Sequence, residues 1–302
     1  MTAITSTTFG GFAAVELSTP ALKLIAVHGT GPRLAWLSLP TGDNLLLWDG
    51  AKPATYARTM PDKSWTLRGG HRVWTARGAA DESEETYQND DAPGTCQTRA
   101  DGFTVMGAVD PVTRTRRGIA VTVLAADRLQ VDNILVNEGD MLYGCGMWAL
   151  TCTVPNPSTR YVIPLGDGSS WDTTTITVFR TWAGHGTGSF REEQFELTDD
   201  AYVLTPRGRE TKRMIKAPHG MIAMVDAQRG CTFSISAPWE AGQTYPGDAN
   251  LAMYVGPDNF MVEMETMGPM VVLKPGQQVV HRQLWRLQNS VAALTGGVRN
   301  GL

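Results

Sequence analysis

Cysteine and histidine are scarce in this chain of 302 residues, with only four of the first and five of the second. The sequence contains no Cys-x-x-Cys pair and no cluster of cysteines and histidines at the spacing of a zinc site. A chain of this length buries enough apolar surface to fold without disulfides or a structural metal. We therefore expect no metal site and free, buried thiols, as in the reducing cytoplasm. The cysteines are Cys96, Cys145, Cys152 and Cys231.

Long hydrophobic runs are also missing, and no stretch approaches the length needed to cross a bilayer. Residues 1–17 lack the basic region and apolar core of a secretion signal. The formal net charge of −4 disfavours general nucleic-acid binding. These absences predict a soluble, cytoplasmic protein that binds neither membrane nor nucleic acid. Separately, we expect a monomer or homodimer.

Several motifs of common enzymes are absent as well. The sequence has no Walker A loop, no Gly-x-Gly-x-x-Gly between a strand and a helix, no Gly-x-Ser-x-Gly and no His-Glu-x-x-His. Nucleotide-dependent chemistry and serine hydrolysis are therefore disfavoured.

What the sequence does contain is short apolar or alternating runs, bounded by its 32 glycines and 17 prolines and by Asn and Asp. Amphipathic helices are scarce. Such spacing predicts an all-β fold of large antiparallel sheets. We expect one domain over residues 1–288 and a frayed tail over residues 289–302. The predicted strands are Leu22–Val27, Leu34–Leu39, Phe103–Val109, Gly118–Leu124, Leu129–Val136, Met147–Val154, Tyr161–Leu165, Ala201–Thr205, Met221–Asp226, Thr232–Ala237, Leu251–Val255 and Val279–Leu287.

The most informative segment runs from Asn259 to Trp285. Its pattern predicts a strand, a Gly-Pro turn at 268–269, a short strand, a Pro-Gly turn at 275–276 and a final strand. Side chains alternate along a strand, so Glu263 and Glu265 share one face, while Phe260, Val262 and Met264 share the other. Two carboxylates on one pleated surface form a candidate acid/base site. The alternative is a solvated face.

A second segment follows Gly69-Gly70. In an extended conformation Arg72 and Trp74 share one face, and His71 lies on the other. An indole face with a neighbouring guanidinium suits a sugar ring, because the ring covers apolar C–H groups while the guanidinium donates fixed hydrogen bonds. A cation–π pair on a strand surface is the alternative.

Further polar and aromatic candidates lie between the two segments and beyond them. Asn137 precedes a strand that carries Trp148, which is either a stacking platform or a core tryptophan. His185, in a Gly-rich loop, and His219, before Gly220, are possible proton donors or ligands of a substrate. Lys212 belongs to a basic cluster at 207–216, and such clusters are usually solvated surface.

Taken together, these segments resemble the galactose mutarotase-like superfamily, in its aldose 1-epimerase-like branch. The resemblance covers roughly residues 65–287. The segments that carry it are Gly69-Gly70-His71-Arg72-Val73-Trp74, Asn137, Trp148-Ala149-Leu150-Thr151, Tyr245-Pro246-Gly247-Asp248 with Asn250, Val262-Glu263-Met264-Glu265-Thr266-Met267-Gly268-Pro269, and Leu273-Lys274-Pro275-Gly276 with Trp285.

The resemblance implies a supersandwich of large twisted antiparallel sheets with a sugar site. It implies that Glu265 is the general base that takes a proton from the anomeric hydroxyl, with Glu263 as the competing candidate. The residues implied to bind substrate are Arg72, Trp74, Asn137, Trp148, Lys212, His219, Tyr245 and Asp248. No metal or cofactor is implied, since proton transfer suffices.

The chain departs from the family pattern on a middle strand. Where the epimerases have a His followed by an aromatic residue, this chain has Trp148-Ala149-Leu150-Thr151. The proton donor would then be His71, His185, His219 or Lys212, or it is missing.

Three functional hypotheses follow. The first is an aldose 1-epimerase acting on a hexose or sugar acid. The second is a lyase or hydrolase of a sugar or uronate that uses Glu263 and Glu265 as paired carboxylates. The third is a carbohydrate-binding protein without catalytic activity, which the missing histidine favours.

Overall fold

Regular structure in this chain is almost entirely strand. A computed structural model describes residues 2–49, 66–76, 90–165, 173–179, 189, 191–237 and 239–292. Over these residues no helix combines the length and apolar character required to cross a membrane.

Twenty strands form the described part of the chain. The first ten are β1 (Ala3–Phe9), β2 (Phe12–Ser18), β3 (Lys23–Val27), β4 (Arg33–Ser38), β5 (His71–Ala76), β6 (Thr95–Arg99), β7 (Gly102–Val109), β8 (Thr115–Ala125), β9 (Arg128–Asn137) and β10 (Tyr143–Thr153). The others are β11 (Thr159–Pro164), β12 (Thr175–Val178), β13 (Phe195–Leu197), β14 (Ala201–Leu204), β15 (Thr211–Lys216), β16 (Met221–Asp226), β17 (Cys231–Ser236), β18 (Leu251–Val255), β19 (Val262–Leu273) and β20 (Gln278–Gln288). Two single-turn 3-10 helices lie at Pro246–Asp248 and Pro257–Asn259.

These strands form two antiparallel sheets of ten strands each. The first has the order β1-β2-β3-β4-β5-β10-β19-β18-β15-β12, and the second has the order β13-β14-β11-β16-β17-β20-β9-β8-β7-β6. Every run predicted from the sequence coincides with a strand. The predicted all-β sandwich of large antiparallel sheets is therefore confirmed.

The main core lies between the two sheets. Alternation sends Val73 and Met264 of the first sheet inward, where they join the same buried cluster as Phe103, Phe233 and Trp285 of the second. The opposite face of the first sheet, which we call the outer face, carries a separate buried cluster. That second cluster contains the candidate site.

The sequence analysis overlooked the first hairpin. β1 and β2 pair from Ala3 with Ser18 to Phe9 with Phe12. Gly10 and Gly11 connect them with φ of 56° and 85°, the left-handed conformation that a two-residue hairpin turn requires. The sequence feature that could have predicted this hairpin is the Gly-Gly pair between Phe9 and Phe12.

The predicted turn at Gly268-Pro269 is wrong, because β19 continues through it to Leu273. Trp148 pairs with Met267 and Gly146 with Met270, so β19 has an extra residue at this point. A β-bulge of this kind accommodates a proline, which has no N–H to donate to the neighbouring strand. The predicted Pro-Gly turn is present, since residues 274–277 connect β19 to β20.

Phe260 also departs from the predicted pattern. It precedes β19 and packs against the outer-face cluster, not beside Val262 and Met264. The alternation of side chains between the two faces therefore begins only at Val262, the first residue of β19.

The four cysteines are free, as expected; three of them are buried and Cys96 is half-buried. Of the predicted frayed tail, residues 293–302 lie outside the described residues. Within residues 289–292, Thr232 Oγ1 donates to the Ser290 carbonyl at 2.8 Å and accepts from the Ala292 N–H at 2.9 Å. This short stretch is therefore held against β17.

Candidate functional site

The candidate site lies on the outer face of the first sheet, where neighbouring strands bring polar and aromatic side chains together. In register, Leu150 of β10 pairs with Arg72 on one side and with Glu265 on the other. Trp148 likewise pairs with Trp74. We call this group the site cluster, and its members are Arg72, Trp74, Trp148, Cys152, Lys212, Glu263 and Glu265.

Glu265 is held at the centre of the site cluster. The Lys212 ammonium donates to both carboxylate oxygens, at 2.5 and 2.6 Å, and Trp148 Nε1 donates to Oε2 at 2.7 Å. All three side chains are buried, and Glu265 has no exposed surface. This arrangement fixes the carboxylate in one orientation.

Opposing influences act on the protonation of Glu265. Burial is the largest of them and raises the pKa, and the nearby Glu263 carboxylate acts in the same direction. The Lys212 ammonium and the hydrogen bonds from Lys212 and Trp148 lower it. The net result is a pKa of about 7, in the range where a general base works near neutral pH.

Two tryptophans connect the ends of the site cluster. Their rings are 6.0 Å apart and nearly perpendicular, at 81°. The Arg72 guanidinium lies 4.3 Å from the Trp74 ring centroid, and the Lys212 ammonium lies 4.9 Å from that of Trp148. Both cations are therefore also stabilised by an aromatic face.

Arg72 forms a second ion pair in the site cluster. It donates to Glu263 Oε1 at 3.2 Å and to Cys152 Sγ at 3.1 Å. Burial, reinforced by the Glu263 charge, raises the pKa of the Cys152 thiol. Cys152 is consequently a neutral thiol, and it donates to Glu263 Oε1 at 3.2 Å.

The structure places His71 away from these groups. Its side chain points between the sheets, as the alternation predicts, where Nδ1 is 2.9 Å from Thr151 Oγ1 and Nε2 is 2.8 Å from Asn133 Oδ1. Burial lowers the pKa of His71 to about 3. His71 therefore lies on the opposite side of the sheet from the carboxylate of Glu265.

Asn137 and Tyr245 are also outside the site cluster. Asn137 ends β9, where its Nδ2 donates to the carbonyls of Met141 and Leu273, at 2.8 and 3.0 Å. Tyr245 accepts a hydrogen bond from the Glu240 N–H through its hydroxyl, and its ring stacks on Trp239 at 4.1 Å. Both side chains stabilise connections between strands.

The remaining predicted residues are dispersed. His219 is exposed in the turn after β15. Asp248 is also exposed and lies 3.6 Å from Lys216. His185 lies outside the described residues.

Two features of the site cluster were missed or misjudged. The basic run at 207–216 is not uniformly solvated, since Lys212 and Arg213 are each only 2% exposed. Cys152 was not predicted, although its spacing from Trp148 and Leu150 places it on the same strand face. The alternation of side chains along a strand could have predicted both positions. On β15 it places Lys212 on the outer face together with Met214.

No group of three or more His, Cys, Asp or Glu side chains that would suit a metal ion occurs among the described residues. In the site cluster, the carboxylate of Glu265 is instead neutralised by a lysine and that of Glu263 by an arginine.

No protein-family model and no curated protein matches this sequence. Solved structures do match. A candidate aldose 1-epimerase from Escherichia coli K12 has a TM-score of 0.58 at 12% identity, over 95% of this chain and 99% of that one. A galactose mutarotase-like protein from Clostridium acetobutylicum has a TM-score of 0.60 at 9% identity, over 95% and 98%. A galactose mutarotase related enzyme from Lactobacillus acidophilus has a TM-score of 0.58 at 9% identity, over 94% and 99%.

The two sheets form an all-β supersandwich, and this fold matches these solved structures over nearly their whole length. The chain has the galactose mutarotase-like fold, which confirms the resemblance seen in the sequence at the level of the fold. Because one fold supports many activities, the chemistry is argued below from the side chains of the site cluster.

Proposed function

We propose that the protein is a carbohydrate-active isomerase, an aldose 1-epimerase that acts on a small-molecule hexose or sugar acid in the cytoplasm. The observation that carries the proposal is Glu265, whose pKa is raised to about 7 and whose carboxylate contacts a lysine ammonium. Neighbours of the same fold include a candidate aldose 1-epimerase and mutarotase-like proteins.

In the proposed mechanism Glu265 accepts the proton of the anomeric hydroxyl, and the Lys212 ammonium donates a proton to the ring oxygen. The bond between the anomeric carbon and the ring oxygen breaks, which leaves an aldehyde. Rotation and the reverse transfers close the other anomer: Glu265 returns its proton to the anomeric oxygen, and Lys212 takes its proton back from the hydroxyl that re-forms the ring. The hydroxyl and ring oxygens share one carbon, so acid and base must lie side by side, as Lys212 and Glu265 do.

Lys212 is thus the proposed substitute for the absent histidine. Trp148 holds Glu265 by its indole N–H. Arg72 is the proposed donor to sugar oxygens.

Polarimetry of freshly dissolved glucose, galactose and glucuronate tests the proposal. We expect the wild-type protein to accelerate the mutarotation of at least one of them. Glu265→Gln should reduce that rate at least about 100-fold, the usual contribution of a general base. Glu196→Gln is the control, because Glu196 is exposed on β13. Failure of the wild type to accelerate any sugar of a wider panel contradicts the proposal.

The pH dependence provides a separate prediction. Because Glu265 is an effective base only when ionised, kcat/KM should rise with pH through about 7, well above the ordinary range of a glutamate. Lys212→Arg keeps the positive charge and should leave the midpoint of this rise in kcat/KM near the same pH. A limb near pH 4.5, the value for an unshifted glutamate, would assign the base to a different group.

A second candidate is a sugar-binding protein without turnover. The observation that favours it is the closed Lys212–Glu265 pair, in which each charge already has its partner. Calorimetry on the same panel separates the two candidates: heat of binding without mutarotation, lost in Arg72→Ala, supports the binding protein.

A further inference from the structure

A second concave site lies at the open edge of β20, on the other side of β19 from the site cluster. It is a groove of about 590 Å³, lined by β19, β20 and the segment after β17. This volume is typical of small-molecule sites. β17 pairs with β20 only from Leu284 onward, so one edge of Gln278–Gln283 is left open at the groove.

The β-bulge on β19 shapes the groove. Gly268 and Pro269 line it, and a side chain at Gly268 would come within 3.1 Å of His281 Nδ1. The rest of the wall is largely apolar, with Met147, Val271 and Val279 among its residues. The bulge therefore exposes an otherwise buried histidine to an apolar cleft.

Hydrogen bonding fixes which nitrogen of His281 carries the proton. Trp285 Nε1 is only a donor and contacts Gln283 Oε1 at 2.9 Å, so Gln283 Nε2 is the atom that faces Thr266. Gln283 Nε2 donates to Thr266 Oγ1 at 2.7 Å. Thr266 is fully buried and its hydroxyl has no other acceptor among the described residues, so it donates its proton to His281 Nε2, 2.6 Å away. The imidazole proton therefore sits on Nδ1.

This Nδ1–H has no hydrogen-bond partner among the described residues, although His281 is only 8% exposed and lines the groove. Nδ1 faces the groove, so an acceptor atom of a ligand bound there would accept this hydrogen bond. Glu240, which is exposed at the groove, disfavours a carboxylate or phosphate there, and the charge of Arg282, which also lines the groove, is paired with Asp132 at 2.7 Å.

The geometry points to a second ligand site in this groove, for a neutral, largely apolar small molecule that presents one carbonyl oxygen to His281 Nδ1. It does not depend on the proposed epimerase activity, because the groove and the site cluster lie on opposite faces of β19.

The neutral naphthyl ketone dye Prodan is a suitable probe, since its fluorescence responds to burial. We expect saturable binding with one dye per chain. Val280→Glu and Leu284→Glu place a charge on the groove wall at side chains that are already 40% and 42% exposed, so folding should be retained. Each should weaken binding at least about tenfold. Val272→Glu is the matched control, because Val272 is exposed but does not line the groove.

The hydrogen bond has its own readouts. Nitrogen-15 NMR of the imidazole should show the proton on Nδ1, and Prodan should shift that resonance. His281→Phe should weaken Prodan about fivefold, the effect of one neutral hydrogen bond. Absence of saturable binding, an equal loss in Val272→Glu, or a proton on Nε2 would each overturn the assignment. So would loss of Prodan binding in Trp148→Ala with retention in Leu284→Glu, which would place the dye in the site cluster.

Discussion

Lys212→Met should destabilise the protein by roughly 3–5 kcal/mol near pH 8, because Glu265 must then either stay ionised without its partner or bind a proton far above its ordinary pH range. Glu265 has no exposed surface, and both of its oxygens accept from Lys212. Trp148 supplies one remaining hydrogen bond, which cannot neutralise the charge. Methionine has nearly the length of lysine and keeps the packing against Trp148, so the lost charge dominates the effect.

The matched control is the double variant Lys212→Met/Glu265→Leu. Replacing both members of a buried ion pair with apolar groups of similar volume is often neutral or stabilising. We therefore expect the double variant to recover most of the stability that Lys212→Met loses, although Trp148 Nε1 then lacks its acceptor. Denaturant unfolding of the wild type, both single variants and the double variant gives the coupling energy directly.

The pH dependence of Lys212→Met adds a second check with a defined sign. The ammonium of Lys212 lowers the pKa of Glu265, so its removal must raise that pKa above about 7. Protonation then removes the buried charge, and the destabilisation should shrink as the pH falls. A destabilisation that is independent of pH would assign the loss to packing and not to charge.

Local patterns predicted much of this site. Alternation placed Glu263 and Glu265 on one strand face, and Arg72 with Trp74 on another. Both placements depend on a repeat of two residues that the sequence shows directly. The side on which His71 lies followed from the same rule, so its separation from Arg72 was implied before the structure.

The sequence could not show which strands are neighbours. Lys212 reaches Glu265 because β18 pairs with both β15 and β19, an order set by pairing between distant segments. The Gly-Pro bulge was read as a turn because both features require the same residue types, and the choice depends on whether the next strand continues. The buried Arg33–Asp90 pair, at 2.7 Å, joins residues 57 positions apart, so no local pattern could predict it.

A chain of polar groups lies behind the site cluster, within the core between the sheets. Thr151 and Asn133 bind His71, and Asn133 Nδ2 donates to the His281 carbonyl at 3.1 Å. Because Asn133 is oriented by that contact, its Oδ1 accepts from His71 Nε2. Residues adjacent in sequence to Arg72, Cys152 and Glu265 thereby anchor their strands to the second sheet. This anchoring depends on a neutral imidazole at His71.

Both buried histidines should therefore make the protein sensitive to acid. Burial lowers the pKa of His71 to about 3 and that of His281 to about 4, against 6.5 in the unfolded chain. Between these values the unfolded chain binds the extra proton, so stability is retained above pH 6.5 and is lost as the pH falls. Each histidine should cost about 2 kcal/mol between roughly pH 7.5 and 5.

The quantity to measure is the slope of the unfolding free energy against pH, and not the stability at a single pH. Glu265 opposes the histidines, because its raised pKa makes the folded state bind the proton more tightly as the pH falls below 7. His71→Gln and His281→Gln should each reduce the loss on acidification by about 2 kcal/mol relative to the wild type, whatever their stability at neutral pH. His219→Gln, at an exposed position, should leave the slope unchanged. If the slope is the same in all four proteins, the two buried imidazoles must be solvated or charged in the folded state, and the neutral network behind the site cluster does not exist.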